Sequence, residues 1–286
     1  MSATETSFKT DLIGVWGESL EFDVERERIA AYAAATNDPI EPHVRGDFAP
    51  PVFSVVPAFQ AFGTALMSVV PPEHLMRVVH GEQDFRFHAP ILPGTKVTTR
   101  ASCTGLRQRS SGVTGTVLYE TRDAASGDLL VDANMVGFFR GVEGAPDVGE
   151  APPDHAFDES LRETEPMATV VQTYDADQTY RYAEASGDPM PIHTDDAIAK
   201  SAGLPGIIIH GLCTMAFTSV AVIQNTCPED PQRMKRLAVR FAKIALPEQT
   251  ITTRIYQPGD GTAVAFETSN EAGDLVIKDG LAEIAN

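Results

Sequence analysis

Residues 15–25, VWGESLEFDVE, alternate apolar and polar positions, the period-two pattern of a strand with one buried face. RERIAAYAAATND follows with helical spacing and ends at Asn37-Asp38-Pro39, where proline and the residue before it leave helical geometry. AFQAFGTALMSVV is apolar round most of its circumference, which predicts a second, buried helix. Beyond it, DFRFHAPILPGTKVTTR reads as a turn and a strand rich in β-branched residues. GVTGTVLYETRD and GDLLVDANMVGFFR read as two more strands, joined through Gly127.

The series is then written again. Tyr32, Asp38 and Pro39 match Tyr182, Asp188 and Pro189 at an offset of 150 residues. From Pro51 and Pro205 onward the offset is 154, so the second copy carries a four-residue insertion. DFRFHAPILPGTKVTTR then parallels AVRFAKIALPEQTITTR without a gap, and the closing strands recur as GTAVAFETSN and GDLVIKDGLAEI, with Gly273 in the hairpin loop. The pattern predicts an α+β protein of two similar units, each a set of strands curled around one apolar helix. The units are expected at 15–140 and 167–286. Between them, 141–166 is rich in proline, glycine and acids and reads as a linker, and residues 1–14 read as a mobile leader.

Composition narrows the function classes. With 43% hydrophobic and 22% charged residues in a chain of 286, two modest cores can form. No apolar run is long enough to span a bilayer, and the N-terminus lacks a basic segment followed by an apolar one, so neither a membrane span nor a secretory signal is expected. Cys103, Cys213 and Cys227 form neither a metal-ligand spacing nor a disulfide framework, which suits a reducing cytoplasm. A net charge of −18 argues against nucleic acid and anionic membranes as partners.

Candidate chemistry concentrates in residues 180–215. Asp188 lies between Gly187 and Pro189 in a turn, and His193 follows five residues later, after Pro191. TDDAIAKSA predicts a short helix capped by Thr194 or Asp195 and stopped at Gly203. LCTMAFTSVAVIQ predicts a buried helix with Gly211 near its N-terminus, where free N–H groups and a partial positive charge favour a developing anion. Tyr182, Ser186-Gly187-Asp188, His193, Asp195, Gly203, Pro205 and His210-Gly211-Leu212 together resemble the signature of the MaoC-like dehydratases and R-specific (type 2) enoyl-CoA hydratases. The chain departs from it at Met190, where the family usually has Asn.

The resemblance implies a double hotdog fold and reversible hydration of a 2-enoyl-CoA to an (R)-3-hydroxyacyl-CoA, a hydro-lyase reaction needing no cofactor and no metal. It implies that Asp188 and His193 activate the water and that the Gly211 N–H stabilises the thioester oxygen. His210 and Met190 are expected beside the substrate. Arg86, Arg240 and Lys243 are candidates for the CoA phosphates, since an acidic protein needs a local cationic cluster to hold that polyanion. The first copy repeats the Asp and His as Asp38 and His43, but Pro57 stands where the second has Gly211 and has no N–H to offer. One working site is therefore expected, in the second unit, with the first unit as a pocket wall. Other readings are an acyl-carrier-protein dehydratase, a hotdog thioesterase, and a non-catalytic acyl-thioester binding or partner subunit, which Met190 favours. A homodimer is the expected assembly.

Overall fold

The computed structural model describes residues 7–258 and 261–286. In the first half, β1 (Leu20–Asp23) precedes helices α1 (Arg26–Ala35), α2 (Glu41–Val44) and α3 (Phe59–Val69). Strands β2 (Val78–Phe87), β3 (Lys96–Arg109), β4 (Gly112–Asp123) and β5 (Leu129–Arg140) follow. A two-residue strand, β6 (Val148–Gly149), lies in the join between the halves. The second half repeats the plan: β7 (Ala168–Thr173), then α4 (Gln178–Ser186), α5 (Asp196–Ser201) and α6 (Gly211–Thr226). Strands β8 (Met234–Phe241), β9 (Thr250–Tyr256), β10 (Ala263–Asn270) and β11 (Leu275–Ile284) close the chain.

All strands join one sheet in the order β1-β3-β4-β5-β2-β8-β11-β10-β9-β7, with β6 beside β3. The order of the second arm mirrors that of the first, so the repeat is a pseudo-twofold about the β2–β8 pair. α3 lies against β3 and β4, and α6 against β7, β8, β9 and β11. Every residue of α6 from Leu212 to Ile223 is buried, which is why its sequence shows no polar stripe. Its hydroxyls are satisfied locally: Thr218 donates to the Thr214 carbonyl at 3.0 Å and Ser219 to that of Ala216 at 2.7 Å.

The halves share one core, and α1 and α4 meet on the pseudo-axis. Tyr32 and Tyr182, the pair that revealed the repeat, touch each other there, with hydroxyls 3.2 Å apart. The β2–β8 seam is fastened on the sheet face away from α6. Arg236 holds Asp84 with two bonds of 2.8 and 3.0 Å, and Arg240 holds Glu82 and Asp279, each at 2.8 Å.

Three expectations change on folding. Residues 7–14 are packed: Lys9 N–H donates to the Val69 carbonyl and Gly14 N–H to that of Cys103, both at 2.9 Å; the leader's first six residues lie outside the described part. The alternating run 15–25 contributes a ladder only at Leu20–Asp23. Segment 141–166, despite its composition, is tied along its length. β6 pairs with β3, His155 donates to the Asp279 carbonyl at 2.6 Å, and Arg162 grips Glu267 with bonds of 2.7 and 2.8 Å.

Candidate active site

α4 stops at Gly187, whose φ of 77° is a left-handed conformation that a side chain would strain. The chain turns sharply there, and the Asp188 carboxylate fixes the turn by accepting the Met190 N–H at 3.1 Å. A 3-10 turn at Pro191–His193 then swings the imidazole inward. Residues 207–210 form no helix or strand and are bound through Ile209 N–H to the Ala245 carbonyl at 2.8 Å. That conformation leaves the Ile208 carbonyl free to accept His193 Nδ1–H at 2.8 Å. A carbonyl can only accept, so the ring proton sits on Nδ1, and Nε2 carries a lone pair with no partner among the described residues. α5 behind the loop is capped as its sequence predicts: the Asp195 carboxylate accepts from Ala197 and Ile198.

Asp188, His193 and His210 each bring a carboxylate oxygen or ring nitrogen within 4.8 Å of the others. Asp188 and His193 make no direct bond. Two groups that each hold one water at ~2.8 Å and a near-tetrahedral angle stand ~4.6 Å apart, so this spacing suits a shared solvent molecule. His210 stacks on His193 with centroids 3.7 Å apart and planes at 21°. Tyr182 lies on its other side at 4.8 Å, and Tyr32 lies 5.6 Å beyond Tyr182. A column of rings thus runs from α1 of the first half to the reaction loop of the second.

Burial sets the electrostatics. It raises the Asp188 carboxyl above its ordinary value, opposed by the nearby His193 charge and the Met190 N–H. It lowers His193, opposed by the Ile208 carbonyl and Asp188. His210 is pushed down to about 2 by burial and then by His193, so it is a neutral plate. These three residue types could hold a metal ion, with His193 ligating through Nε2 because its Nδ1–H is bonded to the Ile208 carbonyl.

Gly211 begins α6, and its N–H has no acceptor among the described residues. A Cβ there would lie 3.1–3.3 Å from the Phe241 ring, so any larger residue would make the ring give by a few tenths of an ångström. Phe241 in turn meets His80 edge-on, with centroids 5.0 Å apart. His80 comes from the first half, and burial brings its imidazole down to about 4. Neither residue belongs to the Asp–His signature; Phe241 was signalled by its repeat register with Phe87, and His80, which matches Met234, had no signal.

The expected cationic cluster does not assemble. Arg240 is committed to Glu82 and Asp279. Arg86 sits in register with Arg236 and Asp132, on the strand face that carries Glu82 and Asp84 rather than toward α6. Strand alternation put both arginines on that face, which the sequence register alone could not orient. Lys243 differs: it is exposed, two residues from the Ala245 carbonyl that anchors the site. Met190 is 42% exposed at the rim.

A single sheet curled at both ends around two helices, with one Asp–His–helix-end site, defines a double hotdog protein. The architecture matches a MaoC-like dehydratase structure from Phytophthora capsici with a TM-score of 0.85, at 21% identity over 96% of this chain and 98% of that one. It also matches a Mycobacterium tuberculosis protein described as having a double hotdog fold, with a TM-score of 0.59 and 12% identity over 93% and 94% of the two chains. Residues 157–279 match the MaoC like domain, and residues 11–132 match the FAS1-like, dehydratase domain region. A probable enoyl-CoA hydratase 2 of Dictyostelium discoideum is 29% identical over 209 residues, 73% of this chain and 70% of that protein. The second half therefore carries a MaoC-like dehydratase domain, and the first half a FAS1-like dehydratase region.

Proposed function

We propose that the protein catalyses reversible hydration of a 2-enoyl-CoA to an (R)-3-hydroxyacyl-CoA. The observation that carries this reading is the Asp188–His193 pair, close enough to share a water and with His193 Nε2 left bare. The water oxygen bonds to C3 while its proton passes to the pair, and a proton is returned to C2. Negative charge developing on the thioester oxygen is stabilised by the free Gly211 N–H at the start of α6. His210 holds the plane of His193 and, being neutral, adds no repulsion when that ring takes up the proton. The name of the Dictyostelium relative supports enoyl-CoA as substrate, and the MaoC like domain supports the hydration–dehydration chemistry. The handedness rests on the resemblance to the R-specific hydratases.

The test is loss of enoyl-thioester absorbance with crotonyl-CoA, followed by chiral analysis of the product. Signal loss that disappears in Asp188→Asn and His193→Gln supports the reading; an S product refutes the handedness alone. A second reading, a non-catalytic thioester-binding subunit, is favoured by exposed Met190 in place of the family Asn. It predicts saturable binding of crotonyl-CoA with no absorbance change, and turnover gained in Met190→Asn.

A further inference from the structure

The join between the halves crosses the sheet face away from α6. β6 ties it to β3 at one end, and Arg162 ties it to Glu267 of β10 at the other. Its middle, residues 154–157, lies on the β2–β8 seam. The Asp154 carbonyl accepts from Arg236 at 3.1 Å, and Phe157 N–H donates to the Asp279 carboxylate at 3.2 Å. Between these two anchors His155 is buried, its side chain 2% exposed. Its Nδ1–H donates to the Asp279 carbonyl at 2.6 Å. A carbonyl only accepts, so Nδ1 keeps its proton in either charge state, and a second proton has only Nε2 to occupy. Nε2 lies 3.5 Å from a Glu82 carboxylate oxygen and, as a neutral nitrogen, has no hydrogen-bond partner among the described residues. The neutral ring therefore turns a lone pair toward a carboxylate, whereas the charged ring turns an N–H.

The charges around the ring make that choice consequential. Segment 141–166 carries eight acids, one arginine and this single histidine. It docks where β2 presents Glu82 and Asp84 and β11 presents Asp279 and Glu283, with Arg236 and Arg240 of β8 between them. Burial disfavours a charge on His155, but Glu82, the Asp279 carbonyl and Asp84 outweigh it, and the imidazole stands above its ordinary value, unlike His193 and His210. We propose that His155 is a proton-operated latch, which fastens the middle of segment 141–166 over the seam when charged and releases it when neutral. With a raised folded pKa, fastening is complete below the unfolded value of about 6.5 and is lost as pH rises through the folded value. The latch lies directly behind the site. Glu82 and Arg240 are register partners, next to the bulge at His80 and to Phe241, whose rings meet on the other face of the sheet.

The latch is read without turnover. Amide exchange is followed on the full chain at about pH 6 and about pH 8.5, with rates corrected for the intrinsic effect of pH. The Phe157 amide, which the Asp279 carboxylate protects, is expected to lose roughly three- to tenfold of its protection at the higher pH, while the β4–β5 ladder keeps its own. His155→Gln keeps an N–H for the Asp279 carbonyl and has no charge to gain, so its Phe157 protection is expected to be low and equal at both pH values. Glu82→Gln, which removes the carboxylate and leaves the ring, is expected to behave the same way. Histidine ring ¹H–¹⁵N correlations are expected to show His155 titrating above about 6.5, and lower in Glu82→Gln. A His155 ring that titrates at or below that value overturns the latch, and this wild-type measurement decides alone should either variant fail to fold. Equal Phe157 protection at both pH values in the wild type overturns it as well, as does a pH dependence that survives in His155→Gln.

Discussion

The Asp–His loop is built twice on the same spacing and resolves in opposite ways. In both copies the acid accepts the N–H two residues on, Ile40 at 2.8 Å and Met190 at 3.1 Å. In both, the histidine N–H returns to the carbonyl three residues back. The imidazoles then part company. His43 gives Nδ1 to Asp38, so the acid is tied to its own ring. His193 gives Nδ1 to the Ile208 main chain, which leaves the Asp188 carboxylate and Nε2 free for a third party. The difference lies in the acceptor strand. Residues 207–210 form no helix or turn and leave the Ile208 carbonyl to His193, whereas the matching residues 53–55 lie in the 3-10 turn Pro51–Val55. A site is made less by owning the two residues than by giving the histidine another partner.

The largest effect expected follows from that contrast. Asp188→Asn or His193→Gln is expected to lower the rate with crotonyl-CoA by about 10²–10⁴-fold. Asp38→Asn is expected to leave the rate nearly intact and destabilise the fold by about 1–3 kcal/mol in denaturant titration. Loss of turnover in Asp38→Asn breaks the comparison. Next comes the helix end. Gly211→Pro gives the second unit the first unit's residue at a position where helices tolerate proline, and the missing N–H is expected to lower kcat by about 10²–10³-fold. Gly211→Ala brings the same Cβ against Phe241 but keeps the N–H. The difference between the two variants therefore isolates the donor, and equal losses would remove it from the mechanism.

Changes of pH sharpen the comparison further. Asp188 is raised by burial, so activity is expected to fall on acidification at a pH above the ordinary carboxylate value. Because its folded pKa exceeds the unfolded one, its ionised form weakens the fold at neutral pH, and Asp188→Asn is expected to melt higher while inactive. The histidines carry the opposite sign. His193 is depressed, with His80 at about 4 and His210 at about 2, so the unfolded chain takes up protons that the native state refuses. Their stability contribution is present above pH about 6.5 and is lost as pH falls below it. A melting temperature flat from pH 7 to 5 would contradict these assignments. The smallest effects concern the cations. Arg240→Ala is expected to destabilise the seam by about 1 kcal/mol without moving KM, since much of its side chain is solvent-screened. Lys243→Ala is expected to raise the KM for crotonyl-CoA about two- to fivefold with kcat unchanged.

By itself the sequence determined the repeat, the strand and helix order, the Asp188–His193–Gly211 set and the loss of a donor at Pro57. Each of these is local: side-chain periodicity, turn chemistry and the missing N–H of proline act within a few residues. Tertiary structure alone decided the rest. It placed Tyr32 against Tyr182 and His210 against His193, turned Arg240 to the seam and drew His80 to Phe241. Those outcomes depend on which sheet face a strand presents and which carbonyl a distant segment leaves open. Such choices are fixed only when the two arms pack together, because a period-two pattern tells a residue that it alternates, not what waits on either side.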